Sequence, residues 1–268
     1  MAQIMATPRK DQLYYYTKVD KFLYENLINK TIWFSKPSSF NDPFDCCPPL
    51  IYGSTSTENH MMEFYDELSK VKLEEPKLNL TKEQFIGEWK VDKIGFEKKV
   101  NKTLTKLIND NYGILCLSER DENIKMWSHY ANKHTGVVLE FDFHNFITNG
   151  KDFYWKVNYP TDGKFLNFLD SSIPANDSIF GQLITKANIW SEEQEVRVCV
   201  LRSGLHPLNE TCFKGIIFGI NTPKEEKISL FNIIKMRYPN AKFSQARRDE
   251  DEYKIHIDPF DIQLLLNS

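Results

Sequence analysis

The stretch Trp190-Ser-Glu-Glu-Gln-Glu-Val-Arg-Val-Cys-Val200 indicates the fold class most directly, because in its second half valine alternates with other residues. This period of two is typical of a β-strand, in which successive side chains point to opposite faces. We therefore expect residues 193–200 to form one strand. Its core face would carry Val196, Val198 and Val200. Its other face would carry Glu193, Glu195 and Arg197.

Further strand and helix patterns surround this stretch. Strands are predicted over 13–16, 31–35, 114–118, 136–142, 153–159, 213–219, 242–246 and 253–257. Helices are predicted over 57–72, in segments between 81 and 110, and over 126–131, 179–189 and 224–238. We expect Thr17 to cap a helix after the first strand and Thr81 to begin another. The pattern indicates a single α+β domain over 1–268, with a mixed, mainly antiparallel sheet and a helical insertion over about 55–112.

The composition limits the classes of function. The 268 residues, 41% of them hydrophobic, can bury a substantial core, and a net charge of −3 provides no general field for nucleic acid. The first ten residues lack the apolar region of a secretory signal, and no run of about 18 apolar residues spans a membrane. The five cysteines fit reduced thiols, and no ligand spacing indicates a metal. We expect a cytoplasmic protein.

A polar loop follows the second predicted strand, in the run Phe34-Ser-Lys-Pro-Ser-Ser-Phe-Asn-Asp-Pro-Phe-Asp45. Its prolines fix the backbone, and its short polar side chains bond neighbouring backbone groups, which produces a rigid shape. Rigid polar loops of folded domains often carry binding sites, although a purely structural loop remains the alternative. The candidate ligand-binding residues are Ser35, Ser39, Asn41, Asp42 and Asp45.

Two other segments carry candidate site residues. In the strand predicted over 193–200, one glutamate can pair with Arg197 and leave the other to accept hydrogen bonds or to act as a base. The alternative is an exposed strand face with an ordinary ion pair. The run 126–131 offers Trp127, His129 and Tyr130 to a planar ligand such as a nucleobase or nicotinamide, although aromatic residues of this kind also fill cores. Trp190 is a further candidate ligand contact.

These blocks together resemble a bacterial and phage family that is catalogued as domain of unknown function 2971. The resemblance is carried by Tyr16-Thr17, the run 34–45, Cys116-Leu-Ser118, Met126-Trp-Ser-His-Tyr-Ala131, and Lys186 followed by Trp190, Glu193, Glu195 and Arg197. The blocks span residues 14 to 219. The family itself implies no activity.

A more distant resemblance implies a function. The opening strand, threonine, helix and second strand are similar to the start of ADP-ribosyltransferase toxins. That resemblance implies that NAD, as substrate, lies between the first strand, the 34–45 loop and the 193–197 strand. Tyr16 or Lys18 would contact NAD from the first strand. Trp127 and Tyr130 would pack around the nicotinamide ring. Glu195 would bond the ribose 2′-hydroxyl, Glu193 would orient or deprotonate the acceptor, and Arg197 would hold a carboxylate or phosphate.

We therefore expect an ADP-ribosyltransferase-like effector that acts as a toxin or in anti-phage defence. The acceptor, which is protein, nucleic acid or water, and the oligomeric state are not indicated. A non-catalytic sensor that binds a nucleotide or a phage component is the first alternative. A metal-dependent nuclease that uses Asp42, Asp45 and Glu195 is the second.

Overall fold

The structure is a computed structural model that describes residues 12–48, 50–53, 56–70, 80–142, 153–161, 166–167, 169 and 175–266. In chain order its strands are β1 (Gln12–Thr17), β2 (Thr31–Phe34), β3 (Leu50–Ile51), β4 (Tyr112–Ser118), β5 (Val137–Asp142), β6 (Phe153–Lys156), β7 (Leu166–Asn167), β8 (Glu195–Leu201), β9 (Gly204–Pro207), β10 (Phe213–Phe218), β11 (Lys242–Arg248) and β12 (Ile255–Pro259). Eight of these strands form one sheet, in the order β12-β11-β10-β5-β1-β4-β8-β6. Within this sheet only β10 and β11 are parallel neighbours, so the predicted α+β fold with a mainly antiparallel sheet is confirmed. Two small ribbons, β2–β9 and β3–β7, lie outside this sheet.

The helices of the described residues are α1 (Lys21–Asn29), α2 (Glu58–Lys70), α3 (Lys82–Val91), α4 (Lys93–Asn111), α5 (Ile124–His129), α6 (Ala175–Ile184), α7 (Lys224–Arg237) and α8 (Ile262–Leu266). Short 3₁₀ turns occupy Pro37–Ser39 and Asn188–Glu193. The structure describes no helix that is long and apolar enough to cross a membrane. All five cysteines lie among the described residues and are free thiols.

Two predicted helix ends illustrate how local chemistry sets the boundaries. Thr81 caps α3 as predicted: its hydroxyl accepts from the Gln84 backbone, and the Gln84 side chain accepts from the Thr81 backbone. The predicted Thr17 cap of α1 is wrong, because the Asp20 carboxylate accepts from the backbone of Phe22 and Leu23 and starts the helix three residues later. The helix predicted over 179–189 lies instead over 175–184, and residues 71–72 of the helix predicted over 57–72 lie outside the described residues.

The main sheet is covered on both faces. On one face, residues of α1 and α7 pack on alternate positions of β1, β5 and β8. On the other face, α2, α3, α4 and α6 cover Ile114 and Cys199 of β4 and β8. Farther along this second face, α5 packs on Tyr16 and Val138 through Trp127. Residues of β8 are therefore buried on both faces, and Glu195 and Arg197 lie under the helical layer rather than in solvent.

Candidate functional site

Five buried charged side chains converge at the edge of this helical layer. Glu195 begins β8, and Arg197 lies two residues later on the same face. The others come from three connecting segments: Asp45 from the polar loop, Lys186 from the residues after α6, and Glu193 from the end of the second 3₁₀ turn. We call these five residues the charge cluster. Buried charges are tolerated only when they are paired and hydrogen-bonded, so the pairing within this cluster decides its properties.

Arg197 is the structural centre of the charge cluster and is fully buried. Its Nε donates to Glu195 Oε1 over 2.6 Å, and its Nη2 donates to Asp45 Oδ1 over 2.7 Å. Its Nη1 donates to the Leu183 carbonyl over 2.6 Å and lies 3.1 Å from Cys46 Sγ. The guanidinium therefore holds carboxylates of the protein itself, whereas the sequence hypothesis assigned it to a carboxylate or phosphate of the ligand.

Lys186 bridges the two glutamates. Its ammonium donates to Glu193 Oε2 over 2.6 Å and to Glu195 Oε2 over 3.0 Å, and it lies 3.6 Å from an Asp45 oxygen. The same ammonium lies 5.3 Å from the centre of the Trp190 ring. The sequence reasoning gave Lys186 no role in the site. The available signal was a lysine seven and nine residues before two carboxylates in one short segment.

The backbone between the two glutamates differs from the predicted strand. Gln194 has a φ of 44°, in the left-handed region, and β8 begins only at Glu195. The prediction that Glu193 and Glu195 share a strand face is therefore wrong. A left-handed residue turns the chain sharply. Both carboxylates nevertheless reach the same ammonium, Glu193 from the end of the 3₁₀ turn and Glu195 from the first residue of β8.

The surroundings drive the two glutamates toward different protonation states. Burial opposes ionisation of Glu195, but the adjacent Arg197 and Lys186 outweigh burial and lower its pKa to about 2. Burial raises the pKa of Glu193, and its contact with Lys186 offsets this rise only in part. A pair of carboxyl groups whose pKa values are driven apart is typical of acid–base sites.

A cavity of about 170 Å³ borders the charge cluster. Its walls include Glu193, Glu195, Lys186 and Asp45 together with five aromatic side chains, namely Tyr15, Tyr16, Trp33, Phe40 and Tyr130. The rest of the lining consists of Ser35, Asn41, Ile114, Leu115, Cys116, Leu117 and Met126. The Tyr130 hydroxyl donates to Glu193 Oε1 over 2.9 Å. The structure thus brings together parts of all four segments in which the sequence predicted site residues, namely the first strand, the polar loop, the run 126–131 and the segment after Trp190.

Other candidate residues lie away from this cavity. Trp127 is completely buried: it packs edge-on against Tyr16 and donates its indole N–H to the Asp121 carbonyl. It is therefore a core residue and does not line the cavity. Lys18 and Ser39 are exposed and bond locally, to Asp20 and to the Lys36 carbonyl.

Three candidate residues form a group beside the charge cluster. Trp190 donates its indole N–H to Asp42 over 2.7 Å, and exposed His129 lies edge-on to the Trp190 ring at 6.5 Å. The carboxylates named in the nuclease hypothesis are thus already engaged: Asp42 by Trp190, and Asp45 and Glu195 by Arg197. Among the described residues, no group of three or more His, Cys, Asp or Glu side chains is arranged to hold a metal ion.

Residues 126–198 match the model of a family described as "Protein of unknown function (DUF2971)". The matched segment contains four members of the charge cluster, namely Lys186, Glu193, Glu195 and Arg197, and also Tyr130. The resemblance to this family therefore includes most of the charged side chains of the site. No curated protein and no solved structure matches the chain.

Proposed function

We propose that the protein is an ADP-ribosyltransferase-like effector that acts in the cytoplasm, with NAD as substrate and the cavity as the binding place of the nicotinamide ring. The observation that carries the proposal is an aromatic-walled cavity, large enough for one ring, that is bordered by two glutamates with oppositely shifted pKa values. A role as a toxin or in anti-phage defence would follow from modifying a cellular or phage component.

The size of the cavity favours a single ring. Benzene occupies engineered cavities of about 150 Å³, whereas pockets that enclose whole drug-sized ligands measure roughly 300 Å³ or more. A cavity of about 170 Å³ therefore has room for one substituted six-membered ring. The rest of the dinucleotide would lie outside, past Trp33, which is 50% exposed, and the exposed Asn41.

The aromatic walls favour a planar and positively charged ring. Tyr16 and Phe40 approach the cavity from β1 and from the polar loop, and Tyr130 comes from the end of α5. The faces of such rings carry partial negative charge and attract cations. The nicotinamide ring of NAD is both planar and cationic, which distinguishes it from the neutral nucleobases.

The two glutamates would divide the chemistry. In the proposed reaction the bond between ribose C1′ and the nicotinamide nitrogen breaks, and its electron pair leaves with the nicotinamide. The positive charge that develops on the ribose would be stabilised by Glu195, which stays ionised. A hydroxyl group of the acceptor then forms the new bond to C1′ and transfers its proton to Glu193. The acceptor is a protein, a nucleic acid or water.

The test is release of nicotinamide from NAD by the purified protein, measured by chromatography with and without added nucleic acid. Ser35→Leu would fill the cavity without changing a charge, whereas Ser38→Leu places the same side chain on an exposed neighbour. We expect release by the wild type and by Ser38→Leu, and none by Ser35→Leu. If the folded wild type releases no nicotinamide under any of these conditions, the proposal is wrong.

A second candidate is a non-catalytic module that binds a nucleotide or a phage component. It is favoured by the state of Glu195, which is only 2% exposed and whose two oxygens are both engaged, by Arg197 and Lys186. A carboxylate so occupied has limited freedom to contact a ribose. Calorimetric binding of NAD that Ser35→Leu abolishes, without release of nicotinamide, would support this second function.

A further inference from the structure

We propose that the cavity distinguishes rings by charge, binding a planar cation more tightly than its neutral counterpart, because the charge cluster contains one carboxylate more than it contains cations. The proposal rests on the proposed function only in its choice of nicotinamide as the ring. It gives Glu193 a second task, that of the group which selects the charge of the ligand.

The excess of negative charge follows from a count of the charge cluster. Three carboxylates, those of Asp45, Glu193 and Glu195, meet two cations, Lys186 and Arg197. Acidic neighbours do not cancel this excess: Asp42 is held by the neutral indole of Trp190 and adds negative charge, and three others have a basic partner of their own. Glu119 pairs with Lys156, Glu192 with Lys125, and Glu122 with Arg120.

The excess charge is located at Glu193. Arg197 donates to both Asp45 and Glu195, and neither of these contacts involves Glu193. The only cation that Glu193 contacts among the described residues is Lys186, which also bonds Glu195 and lies 3.6 Å from an Asp45 oxygen. The other oxygen of Glu193 accepts from the Tyr130 hydroxyl, which is a neutral donor. Glu193 and Tyr130 both border the cavity, so this partly compensated carboxylate is close to whatever binds there.

Selection by charge would separate substrate from product. A nicotinamide ring attached to ribose is a cation, and cleavage of that bond leaves neutral nicotinamide. The ring would therefore lose its attraction to Glu193 at the moment of cleavage. The product would then be held less tightly than the substrate, which would favour its release.

The experiment compares two probes of nearly the same shape, the N-methylnicotinamide cation and neutral nicotinamide, by titration calorimetry on the full chain. One unbalanced charge near the ring predicts a preference for the cation of about tenfold or more at low salt. Glu193→Gln should reduce this preference to the smaller one that the aromatic walls provide. The glutamine can accept from Lys186 through its oxygen, while the Tyr130 hydroxyl turns to accept from its amide.

Glu192→Gln is the matched control, because it removes the charge of the adjacent carboxylate, which is exposed and paired with Lys125. It should keep the preference. Equal affinity of the wild type for the two probes, tighter binding of nicotinamide, binding of neither probe, or an unchanged preference in Glu193→Gln would overturn the proposal.

A pH series on the wild type tests the same point if Glu193→Gln does not fold. The groups that face Glu193 are Lys186, Glu195 and Tyr130. Neighbouring carboxylates raise the pKa of Lys186 against the effect of burial, and burial raises the pKa of Tyr130, so both groups keep their protons. Glu195 stays ionised until the pH falls to about 2. Burial raises the pKa of Glu193, so its charge is lost first on acidification. The preference for the cation should fall as the pH falls, and a constant preference would contradict the proposal.

The outcome can be separated from that of the proposed function. Release of nicotinamide from NAD without any preference for the cation would support the proposed enzymatic function and contradict the selection by charge. Preference for the cation without release of nicotinamide would support the selection by charge, contradict the enzymatic function and favour the binding module.

Discussion

Trp190 donates its indole N–H to a carboxylate oxygen of Asp42 over 2.7 Å, which joins two segments that are 148 residues apart in the sequence. Asp42 lies in the polar loop that brings Asp45 to Arg197, and Trp190 lies between Lys186 and Glu193 in the chain. The bond therefore fixes the loop against the segment that supplies the two glutamates. Asp42 also accepts from the Phe44 backbone over 2.9 Å, which defines the bend of the loop itself.

The first prediction concerns the energy of this contact. Trp190→Phe removes the donor but keeps a ring beside Lys186, and Asp42→Ala removes the acceptor. Because the pair is only partly buried, we expect a coupling of about 1 kcal/mol in a double-mutant cycle. Urea denaturation of the wild type, both single variants and the double variant measures it. Strictly additive effects would show that the bond contributes nothing.

The second prediction concerns the stability of the charge cluster. Every side-chain cation or thiol that contacts Glu195 donates to it, so the amide of Glu195→Gln would face the donors of Arg197 or Lys186. We expect this buried substitution to lower the free energy of unfolding by roughly 3 kcal/mol or more. Glu192→Gln, at an exposed ion pair, should leave it unchanged. Equal denaturation midpoints for the two variants would contradict the pairing described here.

The third prediction concerns acid pH. The pKa of Glu195 falls from an ordinary 4.5 to about 2 on folding. The contribution of its charge to stability is therefore complete above a pH of about 4.5 and is lost as the pH falls to about 2. Glu193 acts with the opposite sign, because its raised pKa disfavours the folded state as that carboxyl ionises. The difference in unfolding free energy between the wild type and Glu195→Gln should therefore shrink across this acid window. If the difference in unfolding free energy does not vary with pH, the effect of Glu195→Gln comes from packing alone.

The fourth prediction concerns thiol reactivity. Cys47 is exposed, whereas burial raises the pKa of Cys46, Cys116, Cys199 and Cys212 and keeps these thiols protonated. Because the thiolate is the reactive form, the native protein should show one fast-reacting thiol toward a disulfide reagent. Cys47→Ser should remove that phase, and denaturation should expose the remainder. Rapid labelling of Cys116 in the native protein would instead indicate free access of solvent to the cavity wall.

The elements of the fold were largely predictable because their signals are local. The alternating valines that end at Val200 identified β8, and Thr81 with Gln84 identified the start of α3. Prediction failed where two local signals compete. Thr17 and Asp20 are both good caps, and the choice between them depends on where β1 ends in its pairing with β5. The ribbon of β2 and β9 joins residues about 170 positions apart, and no local pattern indicates such a partner.

The site was predictable in its parts but not in its arrangement. The polar loop, Tyr130 and the two glutamates do meet, yet the left-handed backbone of Gln194 has no signature in a glutamine. That single residue separates the 3₁₀ turn that carries Glu193 from the strand that carries Glu195. Trp127 was placed at the ligand because, with His129 and Tyr130, it offers a stacking face to a planar ring, but the helix turns it into the core. The direction of a side chain depends on packing of the whole sheet, which cannot be read from the neighbouring residues in the sequence.

The strand order has a consequence for synthesis of the chain. Among the described strands β1 comes first in the chain, and it lies between β5 and β4, so it has no partner in the main sheet until residues 112–142 have been added. The cavity next to it also needs Lys186, Glu193 and Glu195, which come later still. Synthesis must therefore proceed past Glu195 before the cavity can assemble. Nascent chains and truncated products that end before Glu195 would lack a complete cavity, and any property that depends on the cavity would be absent from them.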